Sequence, residues 1–197
     1  MPDYAYSVFS ALGVVLCFEP VVYTLRERKP RMRSLAGGLL IGWIGLYNLL
    51  SFADSIVWGG NTGDDISGWF DGTGYCDIGA RIKVTFPFGI LGSTIGICRF
   101  LLAAIGEDRG LDTPERQRRR MVMEGCLGVG MPVVFAALHF VIEPFRYRII
   151  GVTGCQSSFD NSWLTLLLST IWPPILSLIS LLLIGTPLPH SPFKPAR

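Results

Sequence analysis

The chain has 197 residues, 50% of them hydrophobic and 16% charged, with a mean hydropathy of +0.45 and a formal net charge of +2. Soluble domains usually carry about 25% charged residues. The composition therefore excludes an ordinary soluble domain, and apolar blocks of bilayer length mark an integral membrane protein.

Charges and Gly/Pro turns divide the sequence into five apolar blocks. The first covers 4–25 and is interrupted by Glu19 and Pro20. No basic stretch precedes it and it is long enough to span, unlike a cleavable signal peptide. The second covers 35–58. The third, 78–105, has Arg81 and Lys83 near one end and Arg99 near the other. The fourth covers 121–142 and the fifth 163–184. About 20 helical residues cross a hydrocarbon core about 30 Å thick, so every block qualifies on length. Backbone groups in lipid must pair internally, which helices do without partners. The expected fold is all-α: a polytopic transmembrane helix bundle over residues 1–184, followed by a short Pro-rich cytoplasmic tail, 185–197.

The connections set the orientation. "RERKPRMR" holds Arg26, Arg28, Lys29, Arg31 and Arg33, and the third connection holds Arg109, Arg116, Arg118, Arg119 and Arg120. The second, "GGNTGDDISGWFDGTGY", has no Lys or Arg, and the fourth has Arg146 and Arg148. The positive-inside bias then places the amino terminus outside and the carboxyl tail inside. Cys76 and Cys155 fall on the outer side, where disulfides persist, and form a natural pair that would tie span three to the loop after span four. The alternative is two unpaired thiols there. Cys17, Cys98 and Cys126 lie within spans, where a free Cys behaves as a small hydrophobe. Trp58, Trp69 and Trp163 read as an interfacial aromatic belt.

Ionisable residues inside a membrane are costly and are candidates for function. Asp54 lies near the outer end of span two. Arg81 and Lys83 either snorkel outward or face a cavity, where they could meet a ligand carboxylate or a backbone carbonyl. Glu19, close enough to the basic first loop for an ion pair, and Glu124 read as interfacial side chains that reach water. Arg99 follows Cys76 by 23 positions, about 35 Å along a helix, at the inner boundary of span three. It is either an interfacial arginine or a contact for an intracellular partner. Pro173 and Pro174, after Trp172, should kink or break span five. Gly38/Gly42 and Gly92/Gly96 have G-x-x-x-G spacing and read as intramolecular packing positions. His139 is the single histidine of span four, and no motif for catalysis, phosphate cradling or metal ligation is present, so an enzyme, a metal and a cofactor are not expected. Without inverted repeats or paired broken helices, a transporter has no support.

Several segments in order, "NLLSFADSIVW" (48–58), "GYCDIGARI" (74–82), "ICRFL" (97–101), "PFRYRI…GC" (144–155), "SW" (162–163) and "WPPILSLISL" (172–181), resemble the fungal receptors for lipid-modified mating pheromones. The resemblance covers most of 35–184. It implies a seven-helix plasma-membrane receptor of the fungal G-protein-coupled class, a farnesylated peptide pheromone outside and a heterotrimeric G protein inside. It further implies a Cys76–Cys155 pair, with Asp77, Arg81 and Arg146 at matching positions on the ligand side and Arg99 on the G-protein side; the intramembrane Asp54 and Lys83 join the ligand-side candidates, and the basic third connection, Arg116, Arg118, Arg119 and Arg120, the G-protein-side ones. The chain departs from the family pattern at Asp54, where asparagine is usual, at Val152-Thr153, where acidic residues are usual, and in "EPVVYTLRERK". Only five of the seven spans are read here, so the expectation is a receptor truncated after span five. The alternative is a non-signalling membrane interaction protein, such as a dominant-negative or oligomerising receptor fragment. Membrane lipids are implied partners and nucleic acid is not.

Overall fold

The computed structural model describes residues 2–26, 34–58, 72–105, 113–142, 147–150, 153–157 and 163–185. Helix α1 spans Pro2–Arg26, α2 Leu35–Trp58, α3 Thr73–Ile105, α4 Pro114–Gly125 and α5 Met131–Ile142. A two-stranded antiparallel hairpin follows, with β1 at Arg148–Ile150 and β2 at Gly154–Gln156; then come a short α6, Trp163–Thr165, and α7, Trp172–Gly185. Three of these stretches are long and apolar enough to cross a membrane: Leu35–Trp58, Thr73–Ala103 and Pro114–Val141, the last passing through α4 and α5. Shorter apolar helices, Tyr4–Pro20 and Trp172–Gly185, accompany them.

Local sequence explains where the helices start. Ser34 caps α2, its hydroxyl accepting from the Gly37 N–H at 3.4 Å. Thr113 caps α4 by accepting from the Arg116 N–H, with Pro114 at the first helical position and Glu115 in the first turn. Helix α3 begins after Gly72, whose φ of 61° suits a residue without Cβ, and its first turn closes from Cys76 N to Gly72 O at 2.7 Å. It therefore starts five residues before the apolar block at Ile78, and Cys76 sits inside its first turn.

Two helical stretches contain a widened, π-helical turn, and each lies just ahead of proline. Residues Cys126–Gly130 separate α4 from α5, with Pro132 next. Residues Leu166–Thr170 separate α6 from α7, with Pro173 and Pro174 next. A proline ring clashes with the carbonyl four residues back and supplies no N–H to it. Widening the preceding turn relieves that clash, and the pairing shifts to five residues, as in Ile171 N to Leu166 O at 3.1 Å. The break expected at Pro173-Pro174 thus falls at Ile171, and both prolines occupy the first turn of α7, where their missing donors cost least.

The carbonyl that Pro132 cannot serve, that of Gly128, accepts instead from the indole Nε1–H of Trp43 on α2 at 2.8 Å. Helices α2, α3 and the wide turn pack closely around this bond. A Cβ on Gly92 would collide with the Leu127 carbonyl, and one on Gly96 would lie 2.8 Å from the Ala36 Cβ. These two glycines are packing positions, as their spacing predicted, whereas a Cβ on Gly38 or Gly42 would meet nothing within 4 Å. Further along, Phe88, Ile95 and Leu176 form a core with Phe135, whose ring stacks on Phe88 at 3.9 Å. Large apolar side chains such as Phe9, Val133, Val141 and Leu181 lie on the outside, as a lipid-facing surface requires.

Candidate functional site: a pinned hairpin over a cavity

The β1–β2 hairpin is held at one end of the bundle. Cys76 of α3 and Cys155 of β2 form a disulfide with a Cα–Cα distance of 5.1 Å. Both cysteines are fully buried, packed against Trp58 and flanked by Tyr75, Tyr147 and Ile149. Trp58 is thus 3% exposed against the disulfide, which corrects the reading of it as a member of the interfacial belt; Trp163, 76% exposed, fits that reading, and Trp69 lies outside the described residues.

A second fastening is ionic. Lys83 of α3 and Asp54 of α2 form a buried ion pair. The ammonium also donates to the carbonyls of Thr153, at 2.8 Å, and Cys155, at 3.2 Å. The other carboxylate oxygen of Asp54 accepts from the Tyr75 hydroxyl at 2.9 Å. Buried charges persist only when paired and fully hydrogen-bonded, and these groups meet that condition. Between the two hairpin carbonyls stands Gly154, with φ of 67°; a Cβ there would lie 2.5 Å from the Asp54 Cβ and Cγ. Only glycine accommodates both that backbone conformation and that approach.

A cavity of about 300 Å³ adjoins the hairpin at Gln156 and is lined by the apolar Val84, Pro87, Phe88 and Pro173 together with Tyr47, Lys83, Ser169 and Thr170. The prolines help to shape it. Pro87 removes the donor that would serve the Lys83 carbonyl, while Pro173 and Pro174 remove those for Ser169 and Thr170.

Asp77 and Arg81 sit on a different face of α3. They form an i,i+4 ion pair at 3.0 Å with one-quarter to one-third of each side chain exposed, and the guanidinium lies 4.7 Å above the Phe140 ring. Arg81 therefore looks away from the Asp54–Lys83 cluster. Of the two readings open for Lys83, it is the inward one, toward the cavity, that the structure adopts. Arg146 lies outside the described residues.

At the opposite end, Arg99, Arg116, Arg118 and Arg119 are exposed on α3 and α4. Arg120 turns inward, with its guanidinium 4.9 Å above the Phe100 ring and 3.9 Å from the Glu124 carboxylate. Glu124 is only 3% exposed, so it does not reach water as the sequence suggested. Its carboxylate accepts from the Ala36 N–H at 2.9 Å and from the Ser34 hydroxyl at 3.4 Å, capping α2 from another helix. An anion at a helix amino terminus is stabilised by the unpaired N–H groups and the macrodipole. Pairing of Glu19, which is exposed, with the first loop lies outside the described residues.

The Pheromone A receptor family profile matches residues 5–188. The chain belongs to the pheromone A receptor family. Among its relatives, the Pheromone M-factor receptor of Schizosaccharomyces pombe is 30% identical over 172 residues, which is 87% of this chain and 44% of that protein. The Pheromone a factor receptor of Saccharomyces cerevisiae is 26% identical over 85% of this chain and 34% of its own length. The Pheromone B alpha 3 receptor of Schizophyllum commune is 25% identical over 89% and 26%. The chain spans less than half the length of these relatives. A helical transmembrane receptor bundle is the architecture this pheromone A receptor family member shares, and its hairpin disulfide joins the two cysteines expected from the sequence.

Tyr75, Tyr47, Gln156, Ser169 and Thr170 were not singled out from the sequence of this pheromone A receptor family member. Tyr75 adjoins Cys76 in a polar run, and only the fold turns it toward Asp54. The capping role of Glu124 needed a contact across 88 positions that no local pattern encodes.

Proposed function

We propose that the chain acts as a mating pheromone receptor in the plasma membrane, with its amino terminus and hairpin outside and its basic end and carboxyl tail inside. Its ligand is a farnesylated peptide, and its inner partner is a heterotrimeric G protein. The observation that carries this reading is the family match over nearly the whole chain. The charge bias of the connections supports the orientation. The cavity's mixed lining, apolar Val84, Pro87, Phe88 and Pro173 with polar Gln156, Ser169 and Thr170, supports a ligand that combines apolar surface with peptide hydrogen bonds. On this reading Asp77 and Arg81, partly exposed beside the hairpin, and Arg146 serve the ligand side, with Asp54 and Lys83 behind them. Arg99, Arg116, Arg118 and Arg119 offer donors and positive charge to an acidic surface of the G protein, and Arg120 holds the inner end of α4 in place.

The test uses membranes from cells expressing the chain. A labelled farnesylated mating peptide should bind saturably, be displaced by the unlabelled lipopeptide and resist displacement by the unlipidated peptide. It should also raise guanine-nucleotide exchange on a co-expressed G protein. Binding no greater than in membranes lacking the chain overturns the reading.

A further inference from the structure

We infer that Lys83 is a positioning residue: it docks the β1–β2 hairpin beside the cavity and has no donor left for a ligand. An ammonium carries three N–H groups. All three are used within the chain, one by Asp54 and two by the Thr153 and Cys155 carbonyls. Its charge is matched by a carboxylate that is itself held by Tyr75. A ligand group entering beside Lys83 therefore meets a neutralised, saturated site, and it gains a hydrogen bond there only by taking one from the hairpin.

The geometry also explains why a charge is buried at this point. Hairpin carbonyls turned toward a helix bundle need donors, and Lys83 reaches the two that flank Gly154. Gly154 lets the hairpin backbone settle on Asp54, so the ion pair and the hairpin fit one against the other. The disulfide fixes Cys155 to α3, while Lys83 fixes the strand's height and tilt over the cavity wall that Lys83 and Gln156 share. Significance for ligand binding rests on the receptor reading, but docking of the hairpin does not, and the two fail separately.

Docking is read without ligand. Both disulfide sulfurs belong to fully buried residues, so their reduction in intact membranes reports opening of the hairpin. Free thiols are blocked with N-ethylmaleimide, dithiothreitol is added, and newly released thiols are counted over time. Lys83→Met should speed reduction by tenfold or more while Cys98, buried within α3, stays unreactive before reduction. Lys83→Arg, which keeps charge and donors, should recover part of the protection. Tyr75→Phe removes the hydroxyl that holds Asp54 but no hydrogen bond to the hairpin, keeps the ring against the disulfide, and should stay within about threefold of the parent. A parental rate in Lys83→Met overturns the inference. Where Lys83→Met exposes Cys98 as well, Gly154→Ala decides. That substitution presses the hairpin off Asp54; fast reduction with Cys98 protected supports the inference, and a parental rate or exposed Cys98 overturns it.

Discussion

Removing the carboxylate of Glu124 should loosen α2 from α4, and the loss can be sized from the contacts. Glu124→Ala deletes the acceptor for the Ala36 N–H and for the Ser34 hydroxyl, and leaves Arg120 facing an empty position. Losing a helix cap costs about 0.5–2 kcal/mol. A buried donor left unpaired costs about 1–3 kcal/mol, which overlaps the cap and is not added to it. The Arg120 pair at 3.9 Å, with the arginine partly exposed, adds roughly 0–1 kcal/mol. A total of about 1–4 kcal/mol is expected, or roughly 2–16 °C in the melting midpoint for a domain of this size. Glu124→Gln keeps an acceptor oxygen for Ala36 but loses the charge, and should give back about half. The assay is thermal unfolding of detergent-solubilised protein followed by a thiol-reactive dye, since Cys98 is buried in the folded bundle. A Glu124→Ala midpoint within about 1 °C of the parent would refute the capping argument. Equal losses in Glu124→Ala and Glu124→Gln would refute the part assigned to the retained acceptor.

Trp43→Phe removes the indole N–H that serves the Gly128 carbonyl and should lower stability by about 1–3 kcal/mol in the same melt. Gly92→Ala must push α3 off the Leu127 carbonyl and should cost at least as much, with Gly38→Ala, which meets open space, within about 0.5 kcal/mol of the parent. Cys76→Ser, Cys155→Ser and the double substitution should destabilise equally, by about 4 kcal/mol in chain-entropy terms, because each breaks the same 79-residue linkage; additive losses would contradict the pairing. Arg118→Gln with Arg119→Gln should lower receptor-stimulated nucleotide exchange severalfold while labelled lipopeptide binding stays at the parental level; unchanged exchange would remove these arginines from the inner interface.

Helix class, the cysteine pair and the break near Pro173 were legible because each rests on a short-range rule. Bilayer length governs the first, redox side the second and a missing N–H the third. Contacts across the bundle were less legible. Arg81 and Lys83 are two positions apart, so on a helix they cannot share a face, and their different fates follow from that geometry. Which of them would point inward depends on where α2 brings Asp54, a relation 29 positions long. Trp58 has the composition of an interfacial residue, yet the disulfide covers it. Pro132 announces a disturbed helix, but that Trp43 would supply the missing donor is settled only by packing.

A helix start completed by a residue far along the chain has a consequence for synthesis. Helix α2 leaves the ribosome well before α4, with 88 positions between Ala36 and Glu124. At roughly 5–20 residues per second, the upstream end of α2 waits about 4–18 s for its acceptor. During that interval the Ala36 N–H must be served by water or lipid headgroups, which keeps this end of α2 at the membrane surface. Arrival of α4 then exchanges a hydrated end for a protein-bound one. The seating of α2 becomes final only once the fourth apolar block has entered, so a pause or premature stop between them leaves α2 inserted but unregistered.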